Sequence, residues 1–288
     1  MCGERVETPV TPPAPLTTPA EHVLPSVDDD IASVAAVHLD GEANVPNPIA
    51  AKVLVEHLFA RGNAKIAGVD YAVGYQLAHG YTGGDIVDVY QFDNNAVALS
   101  VADISGKGTE AAIHAALVKY GLRAYASQGL TPEKVLRSMD RLYIENNAFE
   151  KIESFASVFF GMIDDSRRIM HYASGGHEAA LIVVPGERAQ VLAPTAPLVG
   201  VFDDQHHLFK QSYVELPPGT LFVATTDGLT DARAPDRSFF GLDLVIDTVE
   251  ALAEAPTATI VAELIERARA FSNDNLRDDV AVLVARFP

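Results

Sequence analysis

Four aspartates stand at the ends of apolar, strand-like runs, each beside small or turn-forming residues. They are Asp85 in Gly83-Gly84-Asp85, Asp103 in Val101-Ala102-Asp103-Ile104-Ser105-Gly106-Lys107-Gly108, Asp227 in Thr225-Thr226-Asp227-Gly228, and Asp278 in Arg277-Asp278-Asp279-Val280. A carboxylate at a strand end sits on the rim of a sheet, where rigid backbone can aim several such groups at one point. Converging carboxylates repel unless a cation joins them, so the pattern points to a site for hard metal ions. A lone Asp before Gly is ordinarily a turn or a cap. Four of them at strand ends favour a site.

The elements that must position these residues follow from periodicity. Strand runs cover Val69 to Ala78, Ile86 to Phe92, Ala96 to Ile104, Phe155 to Ile163, Arg168 to Ala173, Ala179 to Val184, His207 to Leu216, Leu221 to Thr226 and Val280 to Phe287. In the third run, Val97, Leu99 and Val101 alternate with Ala96, Ala98 and Ser100, giving one large and one small face that can both be covered. The loop after Asp103 leads straight into an Ala-rich helix with Ala111, Ala112, Ala115 and Ala116. One helix pair is Thr109 to Ser127 with Pro132 to Asn146, and the other is Leu242 to Leu252 with Thr257 to Phe271. Ile260, Val261, Leu264, Ile265, Ala268 and Phe271 form one stripe on the last. Strands with paired helices predict an α+β sandwich of two packed sheets flanked by helices.

Composition restricts the setting. The chain has 288 residues, of which 48% are hydrophobic, enough for a sizeable core. No apolar run reaches the ~20 residues of a membrane helix, and no secretory signal opens the chain, so a cytoplasmic location is expected. The single cysteine, Cys2, excludes an internal disulfide and a thiolate metal cluster. A formal net charge of −18 argues against nucleic acid or an anionic membrane as partner. Residues 1–46 are rich in proline and carry Asp28-Asp29-Asp30, which predicts disorder. Asn47-Pro48 reads as a helix start, with Val53, Leu54, Leu58 and Phe59 on one face and Gly62 as the stop. The division expected is therefore 1–46, a short helix and linker over 47–66, and the main domain over 67–288.

Gly83-Gly84-Asp85-Ile86-Val87-Asp88, the Asp103 to Gly108 run, Ser174-Gly175-Gly176-His177, Ala196-Pro197-Leu198-Val199-Gly200, Thr226-Asp227-Gly228-Leu229-Thr230-Asp231-Ala232-Arg233, Phe240-Gly241 and Asp278-Asp279-Val280 follow one another in order. In that order the chain resembles bacterial metal-dependent protein phosphatases of the sporulation stage II E and sigma-factor-regulator type, over roughly Val69 to Phe287. The resemblance implies an αββα sandwich of mainly antiparallel sheets. It also implies a phosphoserine/phosphothreonine phosphatase with two Mn²⁺ or Mg²⁺ ions and a water, not a side chain, as nucleophile. By the same resemblance Asp103 bridges both ions, Asp85 and the Ile104 carbonyl are further ligands, and Asp227 and Asp278 serve the second ion. Asp88 and Asp279 are placed behind the ligands, because residues one or three positions along need not face the same way. The implied substrate is a phosphorylated regulatory protein, an anti-sigma-factor antagonist. The alternative is a catalytically weak module that binds a phosphoprotein or a kinase.

Other residues invite chemistry less. His177 reads as fixing its loop, and His206-His207 as a solvated pair. Lys107 is left open between a phosphate contact and an exposed turn. Gly83-Gly84-Asp85 lacks the acidic and aromatic residues that would make it a nucleotide-cyclase signature. No arginine near the first strand matches the phosphate-binding arginine of the eukaryotic relatives, which leaves phosphate recognition unassigned. The ~66 residues before the first strand are few for a sensor domain. Regulation is therefore expected from the N-terminal helix, through a homodimer contact or a regulatory partner.

Overall fold

A computed structural model describes residues 63–78, 84–92, 96–150, 153–164, 168–202 and 206–288. The Pro-rich segment, the helix expected from Asn47, and Gly83 lie outside the described residues. Eleven strands are described: β1 Asn63–Ile66, β2 Val69–Gln76, β3 Ile86–Gln91, β4 Val97–Ile104, β5 Ala156–Asp164, β6 Ile169–Gly175, β7 Ala180–Val183, β8 Gln190–Leu192, β9 Ser212–Glu215, β10 Leu221–Thr225 and β11 Val280–Arg286. The helices are α1 Gly108–Ala126, α2 Pro132–Glu150, the short α3 Asp227–Thr230, α4 Gly241–Ala251 and α5 Thr257–Phe271.

One sheet runs β1-β2-β11-β10-β7-β8 and the other β3-β4-β5-β6-β9, with antiparallel pairing throughout. Leu99 and Val101 of β4, Phe159 of β5, Ile182 of β7, Phe222 of β10 and Leu283 of β11 fill the space between the sheets. Phe159 joins the two layers, its ring centroid 5.4 Å from that of Tyr172 and 5.1 Å from that of Phe222. The small face of β4, Ala98 and Ala102, meets Ala111, Ala112 and Ala115 of α1, so helix and sheet approach closely. On the opposite side Ile260, Val261, Leu264 and Ala268 of α5 pack against Ala72, Val282 and Val284. The α+β sandwich of two packed sheets flanked by helices, expected from the order of strands and helix pairs, is the observed architecture.

The structure corrects three details. β1 lies within the stretch read as linker, so the sheet begins before residue 67. β8 has no counterpart among the sequence runs, being three residues long with two of them exposed. The strand expected from His207 to Leu216 is confined to Ser212–Glu215, and His206–Leu208 is a turn of 3₁₀ helix. His206 is no solvated bystander, since its Nδ1 lies 2.7 Å from Oδ2 of the buried Asp140 on α2.

Candidate metal and phosphate site

The pairing registers bring the four aspartates to one end of the sandwich. β3 and β4 are antiparallel with Ile86 opposite Ala102, which puts Asp85, just before β3, beside Asp103 near the end of β4. β10 and β11 are antiparallel with Thr225 opposite Val282, which puts Asp227, just after β10, beside Asp278, just before β11. Each sheet thus contributes one adjacent pair. Thr226 ties the pairs together: its hydroxyl donates to Asp85 Oδ2 at 2.6 Å and accepts from the Ala281 amide at 2.9 Å. That threonine is fully buried and was not singled out by the sequence.

Two glycines allow the close approach. A Cβ on Gly84 would lie 2.5 Å from the Ile104 carbonyl oxygen, so the residue before Asp85 abuts the backbone atom assigned above as a ligand. A Cβ on Gly228 would overlap the Asp279 carbonyl, where the start of α3 meets the Asp278-Asp279 turn. Gly228→Ala is expected to destabilise the fold by about 2 kcal/mol or more, because backbone and not a flexible side chain must move. Denaturant titration at constant slope measures it, and an unchanged midpoint would contradict this packing.

The electrostatics are those of anions held together without a counter-charge. Burial, then the charge of Asp103, holds the Asp85 carboxyl well above the usual carboxylate range despite the bond from Thr226. Burial and the charges of Asp227 and Asp278 push Asp103 up to about 6, and a hydrogen bond with Asp85 moderates the rise. Two carboxyls share such a bond only with a proton between them. Asp227 is raised by burial, by Asp278 and by Asp231. Among the described residues no group of three acidic or histidine side chains already surrounds one point closely enough to hold an ion. The donor set is nonetheless all hard oxygen, and mutual repulsion is what a divalent cation would relieve. The residues fit such an ion.

Asp88 faces elsewhere. It lies on the β3 face shared with Ile86, toward the helices, where Arg123 of α1 grips it at 2.6 and 2.7 Å and Lys119 lies at 3.7 Å. Arg123 also stacks 4.5 Å over the Tyr90 ring. Asp279 accepts from the Ala78 amide at 2.8 Å, fastening β2 to the turn that carries Asp278. Lys107 is exposed at the start of α1.

A pocket of about 320 Å³ opens beside the cluster, lined by Asp103, Asp227, Ser105, Ser157, Glu178 and Leu198 among others. Glu178 and Ser157 were not singled out by the sequence. The only signal for Glu178 was its place next to Ser174-Gly175-Gly176-His177, and for Ser157 its place opposite Asp103 in the β4–β5 ladder, which needs the register. Burial, followed by Asp227 and Asp231, raises the Glu178 carboxyl.

Fold and site together define a two-sheet α+β sandwich with an acidic rim built from both sheets. Residues 93–288 match the family Stage II sporulation protein E (SpoIIE), and the chain belongs to that family. The phosphoserine phosphatase RsbU of Bacillus subtilis is 24% identical over 202 residues, covering 69% of this chain and 58% of its own length. The chain spans between 31% and 58% of the length of curated relatives that it matches. The SiaA-PP2C domain of Pseudomonas aeruginosa superposes with a TM-score of 0.66 at 20% identity, over 76% of this chain and 86% of that one. The catalytic domain of the serine threonine protein phosphatase PstP, solved in complex with 2 manganese ions, gives a TM-score of 0.56 at 15% identity, over 76% and 97% of the two chains. These superpositions establish the fold. No helix among the described residues is long and apolar enough to cross a membrane.

Proposed function

We propose that the chain is a divalent-metal-dependent serine/threonine protein phosphatase acting on a phosphorylated regulatory protein of the sigma-factor control type. The observation that carries this reading is the mutually repelling set Asp85, Asp103, Asp227 and Asp278. Among the described residues, no lysine or arginine is paired with any of the four. Family membership and the phosphoserine phosphatase relative support it. In this reading the carboxylates of Asp103, Asp85, Asp227 and Asp278, with the Ile104 carbonyl, would hold the divalent ions, Asp103 being the residue that would be shared between them. Such ions, as Mn²⁺ or Mg²⁺, supply Lewis-acid stabilisation of phosphoryl charge and a water made acidic enough to attack phosphorus. The chain's own part is to hold oxygen donors rigidly at strand ends, to keep Asp85 oriented through Thr226, and to leave one open side for the phosphoryl group in the pocket lined by Ser105 and Ser157. A binding-only module has no need of four repelling carboxylates, which favours turnover over the weak-module alternative.

Hydrolysis of p-nitrophenyl phosphate by the full chain, with and without chelator, tests the reading. Activity is expected to vanish with chelator and to return with Mn²⁺ or Mg²⁺, since hard oxygen donors without Cys or His favour such ions over zinc. Full activity in excess chelator would overturn it.

A further inference from the structure

Phosphate recognition has no arginine assigned to it, and the pocket beside the carboxylates suggests another donor. Ser157 lies directly opposite Asp103 across the β4–β5 ladder, so the two side chains share one face. Both line the pocket. The Ser157 hydroxyl is held from behind by His177, whose Nδ1 lies 2.8 Å from Oγ. His177 is 2% exposed, and its other ring nitrogen, Nε2, is buried with no partner among the described atoms.

That unpartnered nitrogen fixes the tautomer by a cost argument. A buried N–H without an acceptor is costlier and rarer than a buried lone pair without a donor. The ring proton therefore sits on Nδ1, where it has a partner, and Nε2 is left as a bare acceptor. Burial drives the imidazole to titrate only near about 3, so it is neutral under working conditions. With Nδ1–H donating to Ser157 Oγ, the hydroxyl proton of Ser157 is not used by His177. It is free to point into the pocket.

We propose that Ser157 donates a hydrogen bond to a non-bridging oxygen of the bound phosphoryl group, and that His177 is a positioning residue that keeps this hydroxyl turned toward the pocket. The proposal rests on the phosphatase reading of the site. Ser157 takes the orienting part of a phosphate-binding arginine, while the positive charge comes from the ions. A hydrogen bond to a charged acceptor is among the stronger kind, and the wall of the pocket makes its direction fixed.

The test uses the full chain with Mn²⁺ and two probes, inorganic phosphate binding followed by calorimetry and p-nitrophenyl phosphate turnover. Ser157→Ala is expected to weaken phosphate binding about 10-fold, with a similar rise in KM, and to leave the Mn²⁺ concentration for half-maximal activity unchanged. Ser157→Thr keeps the hydroxyl and is expected to stay within about 3-fold of the parent. His177→Asn retains a donor at the δ position and should bind phosphate like the parent. His177→Phe should reproduce Ser157→Ala, and adding it to Ser157→Ala should cost nothing further. If His177→Phe does not fold, the asparagine variant and Ser157→Ala decide the matter. Unchanged phosphate affinity in Ser157→Ala overturns the proposal, as does a shift only in the Mn²⁺ requirement, which would make Ser157 a support of Asp103. If the parent binds phosphate in a Ser157-dependent way without turning over substrate, the phosphatase reading fails and the phosphate site stands.

Discussion

Asp103→Asn is expected to lower Mn²⁺-dependent hydrolysis of p-nitrophenyl phosphate by about 100- to 1,000-fold with little loss of stability, the scale seen when one group aimed at reacting charge is removed. Asp103 is the least buried residue of β4 and lines the pocket, so its carboxylate has solvent and ligand to face and no structural ion pair to lose. Asp88→Asn should show the opposite pattern. It removes charge from a 2% exposed carboxylate gripped by Arg123 and Lys119, so the fold should lose about 1 to 3 kcal/mol while turnover falls far less. Thermal melts and steady-state rates on both variants separate the two. Equal losses of rate would mean that Asp88 serves the ions after all.

Much of this contrast was legible in the sequence, and the reason is geometric. The period-two alternation of β4 announced a strand covered on both faces, and both faces are covered, by Phe159 and its neighbours on one side and by the alanines of α1 on the other. Aspartates at the ends of such strands have few places to go, so their gathering followed from topology. Asp88 was harder to place, because three residues from Asp85 the pleat turns it toward α1, and only the position of Arg123 shows what it meets. Short or exposed strands such as β1 and β8 carry too little hydrophobic pattern to stand out from loops. Ser157, Glu178, Thr226 and the Asp140–His206 pair rest on contacts between distant segments. A hydroxyl or a histidine has no signature until its partner is known.

In the metal-free protein Asp103 is expected to contribute a loss of stability as pH rises from about 4 to 7, against the usual direction for carboxylates that have cationic partners. In the unfolded chain Asp103 ionises near 3.8, whereas in the fold burial and its anionic neighbours hold it to about 6. Between those values the folded state binds more protons than the unfolded one, so raising the pH favours unfolding. The penalty is absent below the unfolded value and complete above the folded one, and for Asp103 alone it is on the order of 3 kcal/mol. Asp85 and Asp227 are shifted in the same direction and add to it. Carboxylates held by cationic partners elsewhere in the fold work in the opposite direction, so the parent curve alone is a sum of both effects. The measurement is therefore the difference between parent and Asp103→Asn in denaturant midpoints across that range, both in chelator. The parent should gain less, or lose more, than the variant as pH rises. With saturating Mn²⁺ the parent's deficit at pH 7 should disappear, because a bound cation reverses the sign of the local interaction. Parallel curves for the two proteins in chelator would show that Asp103 is not held among repelling charges.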